Sequence, residues 1–420
     1  MKIGVFHPGT QHSWQTAEAF QNAALLRWYA TSIFYEEGRF PYNANVFLPP
    51  KIGDRVLREL KRRYTPNLDP RLIRRLGLAE WLEMSARRLG LGAVERFIND
   101  RGNTRFESAV TTLIEKEPVD VLWGYNTSSE TAFQWAKKRG IFCVLDQTIG
   151  HARTQNEVMA AEFSAHAEFF QHHYRPFNQR WIAKQDAELE LADLIVVGND
   201  TCAQTLLSNG CSPEKIRTVP YGFDERLYSV SPNAKPDRSR PLRCLYIGAL
   251  TPRKGIAYLL QAFRLIPKQL AFLTLVGPLD IPAETFETYR PYVNWVGNVP
   301  RKDVITYYEN ADCFIFPSLF EGSAIVLAEA VGAGLAIIQS ASAGRGALHD
   351  LNGLIVKDRS ADAIVEAVTL LARDRNRLIQ MKEASVQLRD DYTWRRYRQR
   401  IQELVKSFSS VARSAHVYGI

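Results

Sequence analysis

Short apolar runs alternate along the chain with longer stretches in which apolar and polar residues recur at helical spacing. "KIGVF" (2–6) predicts a strand and residues 13–30 a helix. "VDVLWGY" (119–125) predicts a strand, "SSETAFQWAKKRG" (128–140) a helix closed by Gly140, and "IFCVLDQ" (141–147) the next strand. A long polar-aromatic helical stretch, roughly 154–191, leads to the apolar run "ADLIVVGND". "TCAQTLLSNG" then predicts a helix and "IRTVPYG" a strand.

Residues 229–241, "SVSPNAKPDRSRP", break this pattern with three prolines, four charges and little that is apolar, and predict a linker. The alternation then restarts. Strands are predicted at "LRCLYIGA" (242–249), "LAFLTLVG" (270–277), "YVNWVG", "DCFIFPS", "AIIQS" and "NGLIV". Between them lie helices at 255–266, at "RKDVITYYENA", at 323–333 and at "SADAIVEAVTLLARD". The expected organisation is a first domain over 1–228, the linker 229–241 and a second domain over 242–390. A terminal amphipathic helix in 391–420 is expected to pack back on the first domain. Strands alternating with helices imply parallel sheets covered on both faces, hence an α/β chain of two doubly wound domains. Ligands of such sheets lie outside the carboxyl ends of the strands, so a cleft between the domains is the expected site.

Composition adds bounds. At 420 residues, 46% hydrophobic, the chain can bury more than one core. Cys143, Cys202, Cys211, Cys244 and Cys313 form no metal-type spacing and read as core thiols of a reducing compartment. The start, "MKIGVFHPGT", reads as a first strand rather than a secretory leader, and no window of about 18 apolar residues exists. A cytoplasmic protein is expected.

The net charge of +8 is concentrated in one region. Residues 51–105 hold 14 Lys or Arg against seven Asp or Glu, a local excess of +7. Arg62, Arg63, Arg74, Arg75, Arg87 and Arg88 form the clusters, with Leu, Ile, Trp and Phe between them. Two readings stay open: a solvated helical face, or a peripheral surface gripping anionic lipid at the inner face of a membrane. No stacking platform or recognition motif accompanies the charge, so nucleic acid is not an expected partner.

The candidate chemistry lies in "LFEGSAIVLAEAVGAGLAIIQS" (319–340). Glu321 follows a strand, and Gly322 and Ser323 form a strand-to-helix turn with Ser323 a fitting N-cap. The N–H groups that follow lack intrahelical partners and suit a phosphate. Glu329 lies roughly 9 Å further along the helix axis. Carboxylate, anion-binding turn, carboxylate matches the order sugar hydroxyls, diphosphate, ribose hydroxyls in a nucleotide sugar. The plain alternative is a solvated loop acid followed by a helix-face acid.

"PSLFEGSAIVLAEAVGAGLAII" resembles the E-x7-E signature of the retaining glycosyltransferases of family four, which have the GT-B fold. "YIGALTPRKGIAYLLQAF" resembles their phosphate-binding loop and helix, and "VNWVGNVPRKDVITYYENADCFIFPS" their nucleotide-side segment. "VPYGFDERLY" and "HDLNGLIVKDRSADAIVEAV" resemble further segments, so the likeness covers about 190–390 well and the first half loosely. The resemblance implies two Rossmann-like domains facing a central cleft and transfer of a sugar, with retention, from an NDP-sugar to a glycan, polysaccharide precursor or lipid-linked acceptor. It implies that Glu321 contacts the donor sugar, that Glu329 holds the ribose, and that Arg253 and Lys254 bind the diphosphate and neutralise its growing charge. Gly248, Gly297, Gly322, Ser323, Ala324 and Ile325 would line the donor site, and His151 would face the donor sugar. Gly9 and Thr10 fit a tight loop on the phosphate or acceptor side, near His7 and His12. Many members carry an arginine where this chain has Ala249, so Arg253 is expected to take that duty. No Asp-x-Asp motif suggests a metal, and none is expected, nor any cofactor. "HAEFFQHHY" (166–174) reads as a packing surface. Two alternatives share the fold: a sugar epimerase or phosphorylase, and a non-catalytic relative that binds nucleotide sugars. "VGAGLAII" precedes a strand and lacks a third glycine, which argues against a dinucleotide oxidoreductase.

Overall fold

The computed structural model describes residues 1–9, 12–37, 53, 54, 57, 60, 61, 63–76, 92–171, 174–228 and 240–417. Thr10, Arg62, Arg87, Arg88, nearly all of the expected linker and part of the basic region lie outside the described residues.

The first sheet consists of β1 (Ile3–Phe6), β2 (Leu26–Thr31), β3 (Ile73–Arg75), β4 (Val121–Tyr125), β5 (Phe142–Gln147), β6 (Leu194–Val197) and β7 (Ile216–Thr218), in the order β3-β2-β1-β4-β5-β6-β7. The second consists of β8 (Leu242–Ile247), β9 (Ala271–Val276), β10 (Val293–Gly297), β11 (Cys313–Phe316), β12 (Ala336–Ser340) and β13 (Gly353–Val356), in the order β10-β9-β8-β11-β12-β13. β1 pairs in parallel with β2 and β4, and β8 with β9 and β11. The central strands explain this choice. "IGVF", "VLWGY", "CFIF" and "AIIQS" are buried at every position, as strands covered on both faces must be.

Both sheets wind alike. The chain runs outward from β1 or β8 to one edge, then returns to continue on the other side of that strand. The reversal falls between β1 and β4 in one sheet and between β8 and β11 in the other, and leaves room for a ligand beyond the carboxyl ends there. Contacts divide the chain into a unit of 1–147, 183–196 and 398–420 and a unit of 148–182 and 197–397.

Three local expectations are corrected. Residues 13–30 are not one helix: Ser13–Asn22 is helical, Ala24 takes a positive φ of 56°, and "LRWYAT" is β2. Alanine and leucine in "AALLRWYA" mask the break, which the left-handed residue makes. The stretch 154–191 is helical only over Ala152–Ala165 and Gln179–Leu191, with a short 3₁₀ turn at Ala167–Phe169. Pro176 bars the helical region to the residue before it. The helix expected over 323–333 spans Ile325–Gly332, and its N-cap is Ala324, with no side-chain cap, in place of Ser323. All five cysteines are free thiols, four of them buried. Among the described residues no helix is long and apolar enough to cross a membrane.

Candidate active site

The loops after β8 and β11 meet at the second sheet's switch point. After β8 the chain makes a 3₁₀ turn, Pro252–Lys254, and enters the helix Ile256–Leu265 through Gly255. Gly255 has φ 68°, and a Cβ there would overlap the Pro317 carbonyl. Glycine is thus needed twice, for the left-handed backbone and for the close approach of the two loops. Leu319 N–H donates to the Arg253 carbonyl at 2.9 Å and ties them together.

This closeness gathers three expected residues on one oxygen. Glu321 Oε1 accepts from Arg253 Nη1 at 2.9 Å, from Ser318 Oγ at 2.7 Å and from Lys254 Nζ. Arg253 Nη1 also donates to the Phe320 carbonyl. Lys254 is largely buried, with its ammonium 4.7 Å from the centre of the Phe316 ring. Burial pulls its pKa below the ordinary lysine range, while the Glu321 carboxylate opposes the shift. Two cations and one acid leave a local excess of one positive charge at a barely solvated corner, the electrostatics an anion needs.

The turn that follows is tightly packed. A Cβ on Gly322 would overlap the Thr148 carbonyl, and Gly150 abuts the Phe320 ring. The helix Ile325–Gly332 starts there with Ala324 as its N-cap, a residue whose side chain cannot accept from the first N–H groups. Glu329 lies within this helix and is 8% exposed, too little for a solvated face residue. Burial raises its carboxyl above the usual carboxylate range, opposed by the Arg301 charge and by hydrogen bonds from Tyr308 and Tyr228. Tyr308 Oη donates to Glu329 Oε2 at 3.1 Å, and Arg301 Nη2 stands 4.0 Å from Oε1. Sequence reasoning missed Ser318, Tyr228 and Tyr308. "VITYYE" reads as an ordinary helix, and no spacing signals that one of its two tyrosines turns to the acid.

The remaining expected residues are scattered more widely. Gly248 follows β8 with φ 152°, and Gly297 closes β10 with φ 82°. The Ala249 carbonyl accepts from Tyr246 Oη at 2.9 Å. His151 is buried at the start of the helix Ala152–Ala165, where its Nδ1 accepts from Arg153 N–H at 3.2 Å. An accepting Nδ1 puts the proton of the neutral ring on Nε2. The loop carrying His151 belongs to the same unit as Glu321.

Gly9, His7 and His12 lie in the other unit, beyond the carboxyl end of β1. Gly9 N–H donates to His7 Nδ1 at 3.1 Å, and His12 Nε2 stands 3.2 Å from the buried Asp146 carboxylate. Both histidine rings meet Tyr125 edge-on. Burial lowers the His7 pKa to about 4, so its ring is neutral near pH 7. In "HAEFFQHHY", Phe169 is fully buried and His166 packs edge-on against Tyr258, while His172 and His173 lie outside the described residues.

Residues 241–374 match the family model described as Glycosyl transferases group 1. This segment is similar to the group 1 glycosyltransferases. It contains the whole Arg253–Lys254–Glu321–Glu329 array. An amylovoran biosynthesis glycosyltransferase of Erwinia amylovora is 26% identical over 183 residues, 40% of this chain and 44% of that one, so the chain spans under half of that relative. Among solved structures, sucrose-phosphate synthase from Thermosynechococcus elongatus superposes with a TM-score of 0.70 at 18% identity, covering 98% of this chain and all of that one. Anabaena HepE in complex with UDP gives 0.64 at 13% identity, covering 97% and 100%. These likenesses give the group 1 segment its setting: the chain as a whole has the GT-B fold.

Proposed function

We propose that this chain transfers a hexosyl group from an NDP-sugar to a glycan, polysaccharide-precursor or lipid-linked acceptor, with retention of anomeric configuration. The observation that carries this reading is the convergence of Arg253 and Lys254 on Glu321 beside the uncapped start of the helix Ile325–Gly332. In the proposed complex the diphosphate sits against the N–H groups of Ser323, Ala324 and Ile325. Arg253 and Lys254 reach its oxygens, and Glu329 accepts from the ribose hydroxyls. Gly248 and Gly297 line the nucleotide side, and Gly9 the phosphate or acceptor side. Glu321 and the Nε2–H of His151 hold the sugar hydroxyls. The C1–O bond to the β-phosphate breaks and its electron pair stays on the phosphate oxygen. The acceptor hydroxyl attacks C1 from the same face, and its proton passes to that oxygen. Fixed cations and N–H donors meet the growing charge, so no added metal is required.

The HepE complex supports a nucleotide site of this kind, since that protein binds UDP on the same fold. The basic stretch 51–105 is the proposed contact with an anionic membrane face where a lipid-linked acceptor would be met, placing the enzyme in the cytoplasm at the inner leaflet. The test is product analysis with UDP-, GDP- and ADP-hexoses and a mixed acceptor panel, in the presence of EDTA. A glycoside with the donor's anomeric configuration is expected. Release of a free epimer or a sugar phosphate, with no acceptor glycosylated, would contradict the reading.

A further inference from the structure

The turn Glu321–Ser323 is held from outside the family segment, by the end of β6. Gly198 lacks a side chain where one is impossible: a Cβ there would overlap the Cβ of Ser323. The next residue, Asn199, is 3% exposed and works in two directions. Its Oδ1 accepts from Cys202 N–H at 2.7 Å and caps the helix Asp200–Leu207. That bond settles which end of the amide is which, because only an oxygen can accept there. The amide's Nδ2 is thereby aimed at the Gly322 carbonyl, to which it donates. Gly344, with φ 91°, walls the amide in; a Cβ on it would come within 2.6 Å of Nδ2. The carbonyl and the N–H of one trans peptide point in opposite directions. Drawing the Gly322 carbonyl toward Asn199 therefore turns the Ser323 N–H the other way, at the uncapped start of the helix Ile325–Gly332.

We infer that Asn199 is a positioning residue: it aims the anion-binding peptide Gly322–Ser323 without touching the ligand, so its side-chain amide sets diphosphate affinity. The inference rests on the diphosphate site proposed above. It gives β6 a part in donor binding that its sequence, an apolar run ending in "VGND", does not announce.

Serine and aspartate cap helices about as well as asparagine. Asn199→Ser thus keeps the cap of Asp200–Leu207 and removes only the bond to Gly322. Asn199→Asp keeps the cap and sets a second oxygen against the carbonyl. Asn199→Ala loses both. The test combines calorimetric titration of UDP, GDP and ADP, melting temperatures, and amide hydrogen exchange at Ser323 in the ligand-free protein. With Asn199→Ser, the melting temperature is expected to stay within about 2 °C of wild type and the diphosphate to bind roughly five- to tenfold more weakly, the range of one lost hydrogen bond. Ser323 exchange is expected to quicken by a similar factor, and Asn199→Asp to exceed Asn199→Ser in both. Unchanged affinity and exchange in Asn199→Ser would overturn the inference. A melting loss confined to Asn199→Ala, with affinity and exchange unchanged in both variants, would make the residue a helix cap and nothing more. If wild type binds none of the three nucleotides, the proposed function fails, and Ser323 exchange still decides whether Asn199 orients the turn.

Discussion

The two sheets share one winding and differ in what they place at the reversal. At β8/β11 the loops carry Arg253, Lys254 and Glu321, with two cations sharing one carboxylate oxygen. At β1/β4 the neighbourhood is His7, His12, Tyr125 and Asp146, with the His7 ring held neutral by burial. The same winding thus creates one corner with fixed positive charge and another of aromatic and imidazole groups. The fold supplies the place; the residues decide whether a diphosphate or a less charged group suits it.

The sharpest way to break this contrast is to remove charge from the second corner. Lys254→Ala and Glu321→Ala are each expected to lower turnover by about 100- to 1000-fold, the scale of losing a fixed electrostatic partner of the transition state. His12→Ala is expected to cost about tenfold or less. A loss as large as that of Lys254→Ala in the same transfer assay would erase the distinction between the corners.

Next in size is the division within the second corner. Glu329→Ala is expected to weaken nucleoside diphosphate binding by about 10- to 100-fold, the worth of hydrogen bonds to a charged group. It should leave inorganic pyrophosphate unaffected, since Glu329 is assigned to the ribose. Calorimetry with both ligands reads this, and equal weakening of the two would show that Glu329 acts on the phosphate side.

The smallest effects lie in the pH dependence of the first unit. Burial raises the Glu188 carboxyl from 4.5 to about 7, although it accepts from the N–H groups of Thr127 and Ser129. A raised carboxyl pKa gives stability that is present below 4.5 and lost as pH rises through about 7. His7 works in the opposite direction. Its pKa falls from 6.5 to about 4, so its contribution is present above 6.5 and lost as pH falls through about 4. Denaturation across pH 4–8 should show Glu188→Gln flattening the alkaline side of the stability curve and His7→Asn the acid side. Parallel curves for variant and wild type would contradict the burial argument.

Much of the second half could be read from the chain alone, because its strands are uninterrupted apolar runs and its turns carry glycines where the backbone demands them. Gly255 and Gly322 mark close approaches that any side chain would block. The first half was less legible. Its second strand hides behind the helical composition of "AALLRWYA", and its long polar stretch leaves the helix after Ala165 and resumes only at Gln179. What periodicity could not reveal was tertiary: that Tyr308 turns its hydroxyl to Glu329, that Ser318 adds a third donor to Glu321, and that Asn199 reaches Gly322 over 123 residues of chain. Each depends on which loops the sheet order brings together, and no local pattern encodes that.

The corner formed by Arg253, Lys254 and the turn Gly322–Ile325 is proposed to grip a diphosphate. Titration of UDP, GDP and ADP into wild type, Lys254→Ala and His12→Ala tests it most directly. At least one nucleotide is expected to bind wild type and His12→Ala alike and Lys254→Ala roughly tenfold or more weakly. Binding that survives Lys254→Ala intact, or no binding of any of the three to wild type, would contradict it.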